Sequence, residues 1–238
     1  MEMKKNAMRD IFGKALLDYY NGNYTEDVFT ATNISDEDAL PLPFLFRNYE
    51  EMPILEKKSM ELAKGRVLDV GCGAGSHGLY LQEQGFEVKA IDVSEGAIEV
   101  SRKRGLKNVE VIALLEETEK FDTILLLMNG SGIFQELSKV PLYLNHLKSL
   151  LNPGGQILLD STDIIYMYED EDGGIWQDLN ANYYGELDYL VSYKGESEPL
   201  TTWLYLDFET LLTACKSVGL ECELVMEGEH YDYLARVY

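Results

Sequence analysis

Residues 66–92 read R-V-L-D-V-G-C-G-A-G-S-H-G-L-Y-L-Q-E-Q-G-F-E-V-K-A-I-D, an order that few folds accommodate. Val67, Leu68 and Val70 form an apolar run too short for a helix and bounded by glycine, which suits a buried parallel strand. Gly71, Gly73 and Gly75 punctuate the turn that follows. Lacking a Cβ, they permit positive φ and let a ligand approach the backbone. A helix is predicted from Ser76 to a stop at Gly85, and K-A-I-D (89–92) is the next strand, ending on a carboxylate. In a right-handed βαβ unit the end of the second strand lies beside the end of the first. An acid placed there, about 20 residues beyond a glycine loop, can accept hydrogen bonds from both hydroxyls of a ribose. The stretch therefore predicts an adenosine-type cofactor pocket.

The phase of the glycines narrows the cofactor. Residues 73–78, G-A-G-S-H-G, satisfy G-x-G-x-x-G, but Gly71 already occupies the first position of the loop, so the dinucleotide pattern is out of phase with the strand. Asp69-x-Gly71-x-Gly73-x-Gly75 is the better frame, with an acid as the second-last residue of the strand. An acid there suits a ligand presenting an ammonium group and repels a pyrophosphate. V-L-D-V-G-C-G-A-G resembles motif I of the class I S-adenosylmethionine-dependent methyltransferases. The resemblance covers the chain from about residue 60 to its end, strongest over 66–95 and 121–160. It implies that S-adenosyl-L-methionine is the cofactor, with Asp69 at its amino-acid end, Asp92 and Val93 at its ribose, and Gly71, Cys72, Gly73 and Gly75 forming the loop around it.

The same resemblance implies an α/β, doubly wound, mostly parallel seven-stranded sheet in the order 3-2-1-4-5-7-6 with the last strand antiparallel. Further strands are expected at 108–113, 121–128, 156–160, 222–226 and 231–238. Family members often carry an acid just after the third strand to meet adenine; here Leu114 and Leu115 precede Glu116, so their backbone is expected to supply that contact. Ligands of open parallel sheets bind outside the carboxyl ends of the strands, which places Met128, Asn129 and Gly130 at the sulfonium and the incoming nucleophile. N-G-S-G (129–132) lacks the prolines and aromatic residue of the N-P-P-Y seen in enzymes acting on adenine or amide nitrogen. F-D-T-I-L-L-L-M-N-G-S-G is similar to a bacterial class I group whose substrates are mostly unassigned, and L-N-P-G-G (151–155) before a strand is frequent in the superfamily.

The chain is expected to form a single domain over residues 1–238. It divides into an N-terminal helical lid (1–64), a cofactor-binding core (65–160), an insertion or cap (161–206) and a final helix with two strands (207–238). Met8, Ile11, Phe12, Ala15, Leu16 and Tyr19 recur at helical spacing, a polar loop follows to about residue 40, and residues 50–64 read as a second helix with Pro53 in its first turn. The insertion holds an acidic run, read as a solvated loop, and two alternating segments, 189–193 and 202–206, that predict a β-hairpin over the strand ends. Aromatic residues crowd these flanking segments: Tyr19, Tyr20, Phe44, Phe46, Tyr166, Tyr168, Trp176, Tyr183 and Tyr184. Tyr20, Phe44, Arg47, Asp160 and Tyr166 are the candidates for substrate contact.

The formal net charge of −22 repels a phosphate backbone, so nucleic acid and anionic membrane are disfavoured and a small-molecule methyl acceptor is expected. Three cysteines without a C-x-x-C pair argue for a reducing compartment and against a zinc site. With no signal-like or membrane-spanning run, a cytoplasmic location is expected. Oligomeric state is not encoded in any motif. In-line methyl transfer demands alignment above all, and the sequence names no dedicated base. Of the three histidines, His77 beside the glycine loop and His230 before the last strand are the candidates, while His146 reads as structural. The competing readings are an NAD-dependent oxidoreductase on a similar fold and a non-catalytic S-adenosylmethionine-binding protein.

Overall fold

The computed structural model describes residues 10–169, 172, 174 and 182–238. Met8 of the first helical stripe and Trp176 of the aromatic set lie outside the described residues. Helix α1 (Ile11–Tyr20) is capped by Asp10, which accepts the Gly13 N–H, and buries Ile11, Ala15 and Leu16 as the stripe predicts. Strands β1 (Val28–Thr32) and β2 (Ser35–Leu40) form an antiparallel hairpin in the segment that reads as a polar loop. Helix α2 (Leu42–Leu45) follows. The expected second helix begins late: Tyr49–Glu51 is a 3-10 turn, and Pro53 caps α3 (Ile54–Leu62) rather than lying within it. Proline disfavours helical backbone at the residue before it, which breaks the run at Met52.

The central unit is β3 (Arg66–Val70), α4 (Ser76–Glu83), β4 (Glu87–Asp92), α5 (Glu95–Arg104) and β5 (Val109–Val111). After it come β6 (Phe121–Leu126), α6 (Val140–Leu150), β7 (Leu151–Thr162), β8 (Glu186–Tyr193), β9 (Glu196–Ser197), β10 (Thr201–Leu204), α7 (Phe208–Ser217), β11 (Cys222–Glu227) and β12 (Asp232–Val237). Seven strands pair in the order β11-β12-β7-β6-β3-β4-β5, with β12 antiparallel to β7 and the strands from β7 to β5 parallel. This is the expected class I order.

Alternation along the central strands builds two apolar layers. Leu68, Val70, Ile124, Leu126, Ile157 and Leu159 pack with Leu144 and Leu147 of α6 and Leu211 and Cys215 of α7. Val67, Leu125 and Leu158 face the other way, against Leu55, Met60, Leu81 and Ile98 of α3, α4 and α5. Burial on both faces is why these strands read as continuous apolar runs. A second, antiparallel sheet runs β10-β8-β1-β2, with β9 paired to β8. The expected insertion hairpin is therefore present, as β8 and β10, and its partner is the N-terminal hairpin. An isolated two-stranded hairpin is marginal in water. β1 and β2 gain their stability from β8, a strand more than 150 residues further on, which local patterning does not reveal.

Candidate functional site

Three strand ends and a glycine loop converge on one cavity. Gly71 and Cys72 both donate their N–H to the Ile91 carbonyl, at 2.9 and 3.1 Å, tying the loop after β3 to β4. Asp92 completes the clamp: one carboxylate oxygen accepts the Gly73 N–H and the other the Ser94 N–H, each at 2.9 Å. Gly73 lies at φ +53°, and a Cβ built on it would meet nothing within 4 Å, so the backbone here is open to a ligand. Gly75, at φ +83°, serves differently: a Cβ would stand 2.8 Å from Ser101 Oγ, so glycine lets α5 pack against the loop. Asp69 is 2% exposed and accepts the Gly78 N–H at the start of α4, at 3.1 Å. Burial pushes the Asp69 carboxyl up, opposed by the His77 ring and the Gly78 N–H. Burial likewise raises Asp92, against the pull of its two N–H donors.

The cavity these groups line measures about 600 Å³, within the range that encloses a nucleoside-sized ligand. Asp69, Gly71, Cys72, Gly73, Asp92 and Val93 lie along it, as do Met128, Asn129 and Gly130. Arg47 and His77 reach it as well. Its roof comes from the second sheet, through Val28 and Thr30 of β1, Tyr189 and Val191 of β8, and Thr201 and Trp203 of β10. Asp10, Glu95 and Glu198 add carboxylates to Asp69 and Asp92, against Arg47 and His77 as the basic groups. The lining thus favours a cationic ligand.

The end of β6 is the sharpest local feature. Met128 and Asn129 take φ +65° and +58°, a conformation costly for side chains with a Cβ. Asp160, at the end of β7, holds them there: its oxygens accept the Met128 N–H at 3.0 Å and the Gly130 N–H at 2.9 Å. Burial pushes the Asp160 carboxyl up to about 6 despite those two donors. Ser131 and Ser161 share a hydrogen bond of 2.7 Å, and Ser131 also donates to the Leu204 carbonyl, at 2.8 Å, fastening β10 to this turn. Gly132 is glycine because a Cβ would run into the Trp203 indole. Met128 and Asn129 also line a second cavity of about 260 Å³, together with Phe44, Glu56 and Asp160.

Between the two cavities lies a buried ion pair that the sequence conceals. Arg47 grips Glu56 with two donors, Nε to Oε2 at 2.9 Å and Nη2 to Oε1 at 2.6 Å. Both side chains are buried. His77 Nε2 stands 2.8 Å from Glu56 Oε2, so it carries the proton, and Arg47 Nη2 at 3.4 Å is its neighbour rather than its donor. Burial alone would raise the Glu56 carboxyl, but His77 and Arg47 outweigh it and hold it below the usual carboxylate range. Arg47 is thus no surface cation; it also donates to the Phe44 carbonyl and lies over the Phe44 ring, 4.2 Å from its centroid.

Several expected contacts fall elsewhere. Leu114 and Leu115 sit in a 3-10 turn outside both cavities. β5 is so short that the chain turns Leu114 into the core, where His146 Nε2 meets its carbonyl at 2.8 Å, while Leu115 is exposed. Gly75 caps α4 and does not line the cavity. Tyr20 is exposed and donates to the Lys103 carbonyl, Tyr166 stacks on Tyr231, and exposed His230 lies in the turn before β12; none of the three lines either cavity. Of the flanking aromatic set, Phe44 alone among the described residues lines a cavity. Tyr19 packs on Phe46 and Tyr24, and Tyr183 and Tyr184 donate to Asp207 and Asp163. Phe12 and the stacked pair Tyr189 and Trp203 take the place expected for them. Glu56 had no sequence signal, since one acid on an amphipathic helix reads as solvated. No described helix is long and apolar enough to cross a membrane, and no described cluster of His, Cys, Asp and Glu is disposed to hold a metal.

Comparison with known proteins adds four findings. Residues 62–205 match a methyltransferase domain family. A solved structure described as a SAM-dependent methyltransferase from Bacteroides fragilis in complex with S-adenosyl-L-homocysteine is 43% identical, with a TM-score of 0.91, covering 97% of this chain and 94% of that one. A malonyl-[acyl-carrier protein] O-methyltransferase of Serratia marcescens is 27% identical over 65% of this chain and 63% of its own length. A tRNA (uracil(54)-C(5))-methyltransferase of Pyrococcus abyssi is 34% identical over 47% of this chain, which spans 30% of that relative.

Proposed function

The chain belongs to the methyltransferase domain family, and from that premise we propose that it transfers the methyl group of S-adenosylmethionine to a small-molecule acceptor. The observation that carries this reading is the pairing of cavities: a larger, acidic one built on the glycine loop, and a smaller one sharing Met128 and Asn129 with it. The fit to the cofactor rests on Gly73, whose missing Cβ leaves the loop open, and on the excess of carboxylates along the lining. When bound, S-adenosylmethionine supplies a methyl carbon already activated by a positively charged sulfur. Asp69 and Asp92 would hold it, Asp69 toward an ammonium group and Asp92 through the lone pairs its two N–H donors leave free. Val93 and the backbone of Gly71, Cys72 and Gly73 would border it.

The tasks left to the protein are alignment and exclusion of water, and effective molarity alone can contribute about 7–11 kcal/mol to such a displacement. Met128 and Asn129, pinned by Asp160, form the rim at which donor and acceptor would meet. The small volume of the second cavity and the net charge of −22 support a small acceptor over a nucleic acid. Free thiols at Cys72, Cys215 and Cys222 support a reducing, cytoplasmic setting. Asp69 speaks against a dinucleotide, because its carboxylate would face a pyrophosphate. Calorimetric titration tests the reading: S-adenosylhomocysteine should bind saturably and NADH should give no heat. Heat from NADH with none from the sulfur nucleoside would reverse the assignment. Methyl release to an acceptor then separates an enzyme from a protein that only binds the cofactor.

A further inference from the structure

The second cavity has a chemistry of its own. Its wall combines the apolar surfaces of Phe44, Leu55 and Met128 with three carboxylates, Glu56, Asp160 and Asp232, and no described Lys, Arg or His lines it. The charge of Glu56 is met from behind by Arg47 and His77. Asp160 and Asp232 form no ion pair among the described residues, and only the His77 ring, from a distance, acts against the charge of Asp160. Asp160 receives the backbone N–H groups of Met128 and Gly130, and Asp232 that of His230, at 3.0 Å. Such dipoles soften a negative charge without cancelling it. The cavity therefore presents an apolar floor and a negative rim at the strand ends, directly beside the loop that borders the larger cavity.

We propose that this cavity is the acceptor site and that the acceptor is a small amine with an apolar body, docked as its ammonium ion. The proposal rests on the methyltransferase reading above. An acceptor bearing a carboxylate or phosphate would meet like charge at Asp160 and Asp232, and a neutral hydroxyl would gain a hydrogen bond there but no charge–charge attraction. An ammonium is drawn in, and its apolar body is matched by Phe44, Leu55 and Met128. Before reaction the ammonium passes one proton to water, freeing its lone pair. That pair forms the new N–C bond as the C–S bond breaks and its electrons stay on sulfur. The products are a methylated ammonium ion and S-adenosylhomocysteine, with charge conserved.

The test uses the full chain saturated with S-adenosylhomocysteine and three probes of similar shape: benzylamine, benzyl alcohol and benzoate. Calorimetry should show benzylamine binding at least about tenfold tighter than the alcohol, with benzoate weakest. Asp232→Asn, at the rim and away from the loop that Asp160 supports, should reduce the preference for the amine severalfold while S-adenosylhomocysteine affinity holds. Equal affinity for the three probes, tighter benzoate, or no binding of benzylamine overturns the amine assignment. Those failures are distinct from failure of the underlying reading, which would appear earlier as absence of S-adenosylhomocysteine binding.

Discussion

Glu56 and Asp160 show what single buried carboxylates contribute to this site. Glu56 takes two donors from Arg47 and one from His77, with both partners of the ion pair out of water. Removing one partner strands a buried charge, so Glu56→Ala should lower the unfolding free energy by about 3–5 kcal/mol. Replacing both, as Arg47→Met with Glu56→Leu, should cost far less, because no charge is left unpaired. Urea titrations of the two variants measure the difference, and equal losses would mean that packing rather than charge sets the cost. Asp160 makes a pH prediction. Its folded pKa, about 6, lies above the ordinary aspartate value of 3.8. The stability it contributes is therefore fully present below pH 3.8 and lost as pH rises through 6. Relative to Asp160→Asn, which does not titrate, the native protein should gain stability on going from pH 7 to pH 4, by at most about 3 kcal/mol. A parallel pair of stability curves would mean that Asp160 ionises in the fold as it does in water.

At the scale of elements, the glycine loop divides its labour between ligand and fold. Gly73→Ala adds a methyl group to open space on the cavity side at φ +53°, whereas Gly75→Ala drives one toward Ser101 at φ +83°. The first should weaken S-adenosylhomocysteine binding about tenfold or more, with a loss of about 1–2 kcal/mol in stability from its left-handed backbone. The second should lose more stability than that, since a clash adds to the strain, with the smaller direct effect on affinity. Thermal melts with and without ligand separate the two. The contrast also marks what was legible. Glycines, strand-end acids and period-2 apolar runs act through local backbone rules, so β3, α4, β4 and the cavity residues Asp69, Gly73 and Asp92 were readable in order. The hairpin of β1 and β2 was not, because the sheet it belongs to is completed by β8, a distant strand that pairs with β1. Glu56 was hidden for the same reason: its partners Arg47 and His77 sit nine positions before it and twenty-one after, on other elements. Leu114 and Leu115 lie in a turn after β5 outside both cavities, a placement that no local pattern in the sequence specifies.

On the scale of the whole molecule, the two sheets act as floor and roof. The parallel sheet supplies the acids and the loop, and the antiparallel sheet, joined from both ends of the insertion and from the N-terminal segment, closes over them. The sequence reads residues 1–64 as a helical lid, separate from a cofactor-binding core over 65–160. The structure changes that expectation. Asp10, Phe12, Val28, Thr30, Leu40 and Leu45 all line the larger cavity, and the same segment provides β1, the neighbour of β8. Its loss would open the roof to water and leave β8 with an unpaired edge, a hazard for association. A chain beginning at residue 46 should retain the parallel sheet, because neither apolar layer of that sheet draws on residues 1–45. It should nevertheless bind S-adenosylhomocysteine on the order of a hundredfold more weakly than the full chain. Circular dichroism establishes whether the core survives, and calorimetry on the same sample reads the affinity. An intact core with affinity within about threefold of the full chain would mean that the floor alone binds the cofactor and that the second sheet is dispensable for it.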